Sequence, residues 1–152
     1  MIERRLEGEL GAAVMWVSPT KSFKQLGGVP HPPPSQIDHW NQQIIKAKMI
    51  DNLIANIDPN LGNWLVDPAW NIILIDHSRA FTDTQKMTHE MTHISSAIWD
   101  RMKALDDKQL TAALGQWLSA DAIGSLLKRR DKMQTIIDKM VKKRGRALVF
   151  VS

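Results

Sequence analysis

The chain has no cysteine, no tyrosine and no long apolar run. Without cysteine there is no disulfide framework and no thiolate metal site. No apolar stretch approaches the ~20 residues that a membrane-spanning helix needs. The opening residues, Met1-Ile2-Glu3-Arg4-Arg5-Leu6-Glu7-Gly8, carry acids early and lack the apolar core of a secretion signal, so the expected location is cytoplasmic. What is there is 152 residues, one domain or one lobe of a larger one, with 43% hydrophobic residues to build a core.

The net charge of +4 arises near the end, in Lys128-Arg129-Arg130 and Lys142-Lys143-Arg144-Gly145-Arg146. Basic residues in the last turns of a helix suit its macrodipole. The expected reading is therefore a solvated helix face rather than a nucleic-acid footprint. Trp16, Trp40, Trp64, Trp70, Trp99 and Trp117 are scattered one per element. That spacing predicts core and edge packing instead of a stacking platform for bases.

Val14-Met15-Trp16-Val17 is a β-type run that Ser18-Pro19 terminates. A loop punctuated by Gly27-Gly28 and Pro32-Pro33-Pro34 follows. From Ser35, a candidate N-cap, to about Asn56 the apolar spacing predicts a buried helix through Ile37, Trp40, Ile44, Ala47 and Ile54. Residues 57 to 63 are loop chemistry. Asn63–Val66 and Asn71–Ile75 predict a short hairpin turned by Asp67-Pro68-Ala69-Trp70. Helices are expected at about 87–105, 107–118 and 120–143, and a last strand or a frayed end at 146–151.

The central run Asp58-Pro59-Asn60-Leu61-Gly62-Asn63, followed by Ile75-Asp76-His77, carries the chemistry. Phosphoryl transfer asks a protein mainly for positioning and charge neutralisation. A loop aspartate orients the acceptor hydroxyl or takes its proton, while an asparagine and a second aspartate hold magnesium, a hard cation that prefers oxygen ligands. Asp58, Asn63 and Asp76 supply those types, and the hairpin returns Asp76 beside Asn63.

The stretch Met49–Val66, with Ile75-Asp76-His77-Ser78-Arg79-Ala80-Phe81, resembles the catalytic core of the atypical kinases. It is most similar to the type II phosphatidylinositol kinases and their uncharacterised bacterial relatives, with the pattern D-x-x-x-x-N-x-D-x-x-x-x-N and then I-D-x-x-x-x-F. The resemblance implies Asp58 as catalytic-loop aspartate, and Asn63 and Asp76 as magnesium ligands for ATP. It implies Val14–Val17 as the last small-lobe strand, with Val17 and Ser18 of the Val17-Ser18-Pro19 hinge meeting adenine. The expected fold is a mainly helical α+β large lobe over 19–152, with 1–18 a remnant of the small lobe and hinge. A kinase also needs a phosphate-covering loop and a strand lysine. Neither has room before Val14, so the expectation is a fragment or a weakly active lobe, its edge strand 14–17 open to self-association. The phosphate acceptor is left open among lipid, protein and small molecule.

There are two rivals. One is a non-catalytic interaction or remnant domain. The other is a zinc hydrolase, because His89-Glu90-Met91-Thr92-His93 matches H-E-x-x-H. On a helix, His89 and His93 would share a face and bind zinc, with Glu90 as base. Against it, no His or Glu follows residue 93 to complete the ligands.

Overall fold

The structure is a computed structural model that describes residues 2–6, 9–13, 17–58 and 60–151. The residues expected to form strand 14–17 lie outside it, except Val17, which is irregular. Two antiparallel strands, β1 (Ile2–Leu6) and β2 (Glu9–Ala13), pair at the N-terminal end. The sequence pattern had not suggested this hairpin.

β3 (Lys21–Ser22) falls inside the stretch expected to be loop. It pairs with β4 (Trp64–Val66), and β4 pairs with β5 (Ile72–Leu74), making a three-stranded antiparallel sheet. The registers Leu65↔Ile73 and Ser22↔Leu65 fix the predicted hairpin and add an edge to it. Under it lies a satellite core of Phe23, Trp40 and Val66, packed by Trp64 and Trp70. Phe23 sits 5.6 Å from Trp40 and 5.7 Å from Trp64, and Trp40 meets Trp70 edge-on at 5.7 Å. Three of the scattered tryptophans thus converge, at separations where aromatic pairs attract beyond their burial. Trp99 is buried elsewhere, and Trp117 is 71% exposed.

α1 (Ile37–Ile54) contains no glycine or proline and runs as predicted. Ser35 does not cap it. Proline at 34 instead opens a 3-10 turn over 34–36 without a side-chain cap. Ala55 ends the helix in the left-handed conformation (φ 52°), and its N–H returns to Asp51 O. The remaining helices are α2 (Ser96–Lys103), α3 (Asp107–Leu114), α4 (Ala120–Arg144) and α5 (Arg146–Val149). Asp106 caps α3 by accepting from Gln109 N at 2.7 Å, and Ser119 caps α4 through Ala122 N at 3.2 Å. α3 stops four residues short of the expected end, at Gly115. The main core joins Met49 and Leu53 of α1, Trp99 and Met102 of α2, and Ile123, Leu126, Met133 and Ile137 of α4.

The end of the chain is one helical turn and then β7 (Phe150–Val151), which pairs in parallel with β6 (Ile94–Ser95). No helix of the described residues is long and apolar enough to cross a membrane. The architecture is the expected mainly helical α+β class.

Candidate functional site

The site begins where α1 ends. Asp58 Oδ1 accepts from Asn60 N at 3.0 Å, and Asn60 Oδ1 accepts from Gly62 N at 2.9 Å, two side-chain turns that curl the loop. A 3-10 turn over Leu61–Asn63 then delivers Asn63 to the start of β4. There Asn63 Nδ2 donates to Asp58 Oδ2 at 3.1 Å. The Asp58 side chain is 13% exposed, and the Arg79 guanidinium stands 4.0 Å from Oδ1.

The hairpin returns the third residue. One step beyond Trp64↔Leu74, Ile75 N donates to Asn63 O at 3.0 Å, so Asp76 emerges beside Asn63. Asp76 sits in the left-handed region (φ 53°), which aspartate tolerates better than most residues, and its Oδ1 accepts from Ser78 N at 3.2 Å. The Ser78 side chain and backbone hold the exposed Asp76 carboxyl below the ordinary carboxylate range, aided by His77. Phe81, also left-handed (φ 61°), donates its N–H to Ile54 O and closes the segment back onto α1.

Val17 and Ser18, the residues implied to meet adenine, line a cavity of 470 Å³ with Val66, Asp67, Pro68 and Trp70. That cavity lies at the turn end of the hairpin, whereas Asn63 and Asp76 lie at the other. Three strand residues, at ~3.3 Å each, separate the two ends by about 10 Å. At the turn, Asp67 Oδ1 accepts from Ala69 N and Asn71 N, and Oδ2 from Asn71 Nδ2, at 2.8–2.9 Å. The Asn71 side chain is the main reason the Asp67 carboxyl is held below its usual range.

His89, Glu90 and His93 are not on a helix. The predicted helix 87–105 is irregular up to residue 93, β6 occupies 94–95, and α2 begins only at Ser96. The reason is local competition for the backbone. Asn52 Nδ2 donates to His89 O at 2.9 Å, while Asn52 Oδ1 accepts from His89 N at 2.8 Å and from Thr88 Oγ1 at 3.0 Å. The bond to His89 O takes the acceptor that the first helical turn would use, and the bonds from His89 N and Thr88 Oγ1 anchor the segment to α1 instead. His89 Nε2 turns to Asp51 Oδ2 at 3.0 Å, whereas His93 lies beside Thr92 and Arg144. The histidines therefore share no helix face for zinc, and among the described residues no group of three His, Cys, Asp or Glu side chains could hold a metal.

Asp51, Asn52, Asn56 and Arg129 matter to the site and escaped composition and periodicity. All are buried. The visible signal was a polar Asp51-Asn52 pair inside an apolar helix, with Asp51 four residues after buried Ala47. Arg129 corrects the solvated-face expectation. It is 0% exposed and donates to Leu53 O, Thr82 O and Thr84 O at 2.7–3.0 Å. A further cavity of 260 Å³ opens between Asn56–Asp58 and Thr84–His89, with Asp58, Lys86 and His89 in its wall.

No protein-family model, no curated protein and no solved structure matches this chain.

Proposed function

We propose that this chain is a kinase-like phosphotransferase lobe that takes part in ATP- and magnesium-dependent phosphoryl transfer. The observation that carries the reading is the Asp58–Asn63 bond at one end of the β4–β5 hairpin, with Asp76 returned to that same end.

The donor set suits magnesium. Asn63 spends its Nδ2 on Asp58, which leaves its amide oxygen as an acceptor, and the exposed Asp76 carboxylate is bonded only by Ser78 among the described residues. An amide oxygen and an ionised carboxylate are hard ligands of the kind this cation takes. When bound, the ion neutralises charge on the nucleotide phosphates. Asp58 faces the 260 Å³ cavity and would receive the acceptor hydroxyl there. As the acceptor oxygen bonds to the γ-phosphorus and the bond to the leaving ADP oxygen breaks, the hydroxyl proton passes to the Asp58 carboxylate. The Arg79 guanidinium stands 4.0 Å from that carboxylate. The 470 Å³ cavity at Val17 and Ser18 would take the base, about 10 Å along the hairpin, an interval an extended nucleotide spans.

Residues 1–20 contain no lysine. The phosphate clamp that a strand lysine provides in kinases would therefore come from outside residues 1–20. The test is thermal stability with ATP and magnesium for the wild type and Asp76→Ala. The expected result is an ATP- and magnesium-dependent rise in Tm that the substitution abolishes. A wild type with no ATP-dependent shift would leave the non-catalytic domain as the reading.

A further inference from the structure

We infer that His89 is a positioning residue for Asp58, acting through a buried hydrogen-bond relay. This rests on the role proposed above for Asp58. His89 Nε2 donates to Asp51 Oδ2 at 3.0 Å. Asp51 Oδ1 accepts from Asn56 Nδ2 at 3.1 Å, and Asn56 Oδ1 accepts from Asp58 N at 3.4 Å. The relay thus links His89 and Asp58, both lining the 260 Å³ cavity, through buried Asp51 and through Asn56, which also lines it.

Burial makes each link consequential. The Asp51 side chain is 3% exposed, Asn56 is 9% exposed and Asn52 is 0% exposed. A carboxylate that deep has to be met by donors, and its donors here are the His89 ring and the Asn56 amide. His89 is itself held from three sides. Asn52 grips its backbone N–H and C=O, Trp64 packs edge-on against its ring at 6.3 Å, and Asp51 fixes its Nε2. Such second contacts are what locks a reacting group within a few tenths of an ångström of its working position. The backbone is tied at the same place, because the Asp51 backbone carbonyl accepts from Asn56 N at 2.9 Å. The relay enters Asp58 at its backbone N–H, and Asn63 is reached only beyond it, through the Asp58 carboxylate. Its loss should therefore disturb Asp58 first and the Asn63–Asp76 end less.

Substitution at His89 separates this role from plain stability. Glutamine can place its Nε2 amide where the histidine Nε2 lies, whereas alanine removes the donor. Backbone amide exchange is measured on the full chain for the wild type, His89→Ala and His89→Gln. Expected is a rise of about tenfold or more in exchange at Asp58 and Asn60 in the alanine variant, with Leu65 and Ile73 of the hairpin changing less and glutamine restoring the wild-type pattern. Unchanged exchange at Asp58 and Asn60, or a uniform rise across hairpin and α4, would overturn the inference. Should the alanine variant fail to fold, Asp51→Asn breaks one link while keeping shape, and the same selective rise is required of it. The ATP response is read in parallel and should survive His89→Ala, while any transfer rate falls with the nucleotide KM unchanged. A wild type that ignores ATP defeats the proposed function alone, because the exchange pattern still decides the relay.

Discussion

Replacing Arg129 with methionine tests whether a buried cation with no paired acid among the described residues stabilises this fold. Its guanidinium joins the end of α1 (Leu53 O) to the segment after Phe81 (Thr82 O and Thr84 O). Burial pulls the guanidinium below its ordinary pKa, opposed by the charge of Asp83. Among the described residues its Nη2 has no partner, a further sign of an incompletely compensated charge. Methionine fills similar space but donates nothing. Each carbonyl left buried without a donor costs about 1–3 kcal/mol. Against that, removing the cation relieves a desolvation penalty of several kcal/mol. Because the backbone acceptors cannot be replaced along with the cation, the first effect wins, with a net loss of roughly 3 kcal/mol. For a chain this long, at roughly 2–4 °C per kcal/mol, Tm should fall by about 6–12 °C. Arg129→Lys keeps the charge, but one ammonium cannot span the carbonyls, so an intermediate loss is expected. Calorimetry or circular dichroism reads both. A methionine variant as stable as the wild type would show that desolvation dominates and refute the reasoning.

Asp67 gives a pH signature. Its folded carboxyl ionises below the unfolded value of about 3.9. Its stabilising bonds at the hairpin turn are therefore complete above that value and are lost as pH falls through the lower, folded one. Asp67→Ala should lower Tm near neutrality and shrink the drop in stability between about pH 5 and pH 2; an unchanged acid profile would deny Asp67 that role. Phe23→Ala empties the centre of the satellite core, where Phe23 is 1% exposed. A loss of about 3–5 kcal/mol is expected from denaturant titration, and a loss under 1 kcal/mol would mean that the tryptophans collapse into the space.

The hairpin was legible because turn and strand chemistry are local. Asp67-Pro68-Ala69-Trp70 breaks the chain between apolar runs, and the observed register follows. α1 was legible for the same kind of reason, an apolar period uninterrupted by glycine or proline. His89–His93 was not. Its short motif suits a helix, but the competing partner, Asn52, lies 37 residues away in the chain. The basic run at 128–130 misled likewise, because a charged residue reads as exposed until the carbonyls that receive it are known. β3 and β7 are two-residue strands that exist only through their partners, β4 and β6.

By itself the sequence determined the mainly helical class, the hairpin and the spacing of Asp58, Asn63 and Asp76, since each depends on neighbours within about twenty residues. Tertiary structure decided what those residues touch. It set Asn63 against Asp58, buried Asp51 and Arg129, and pulled His89 out of a metal motif onto α1. Those outcomes turn on buried polar groups finding donors and acceptors, and the partners are brought together only when distant segments pack.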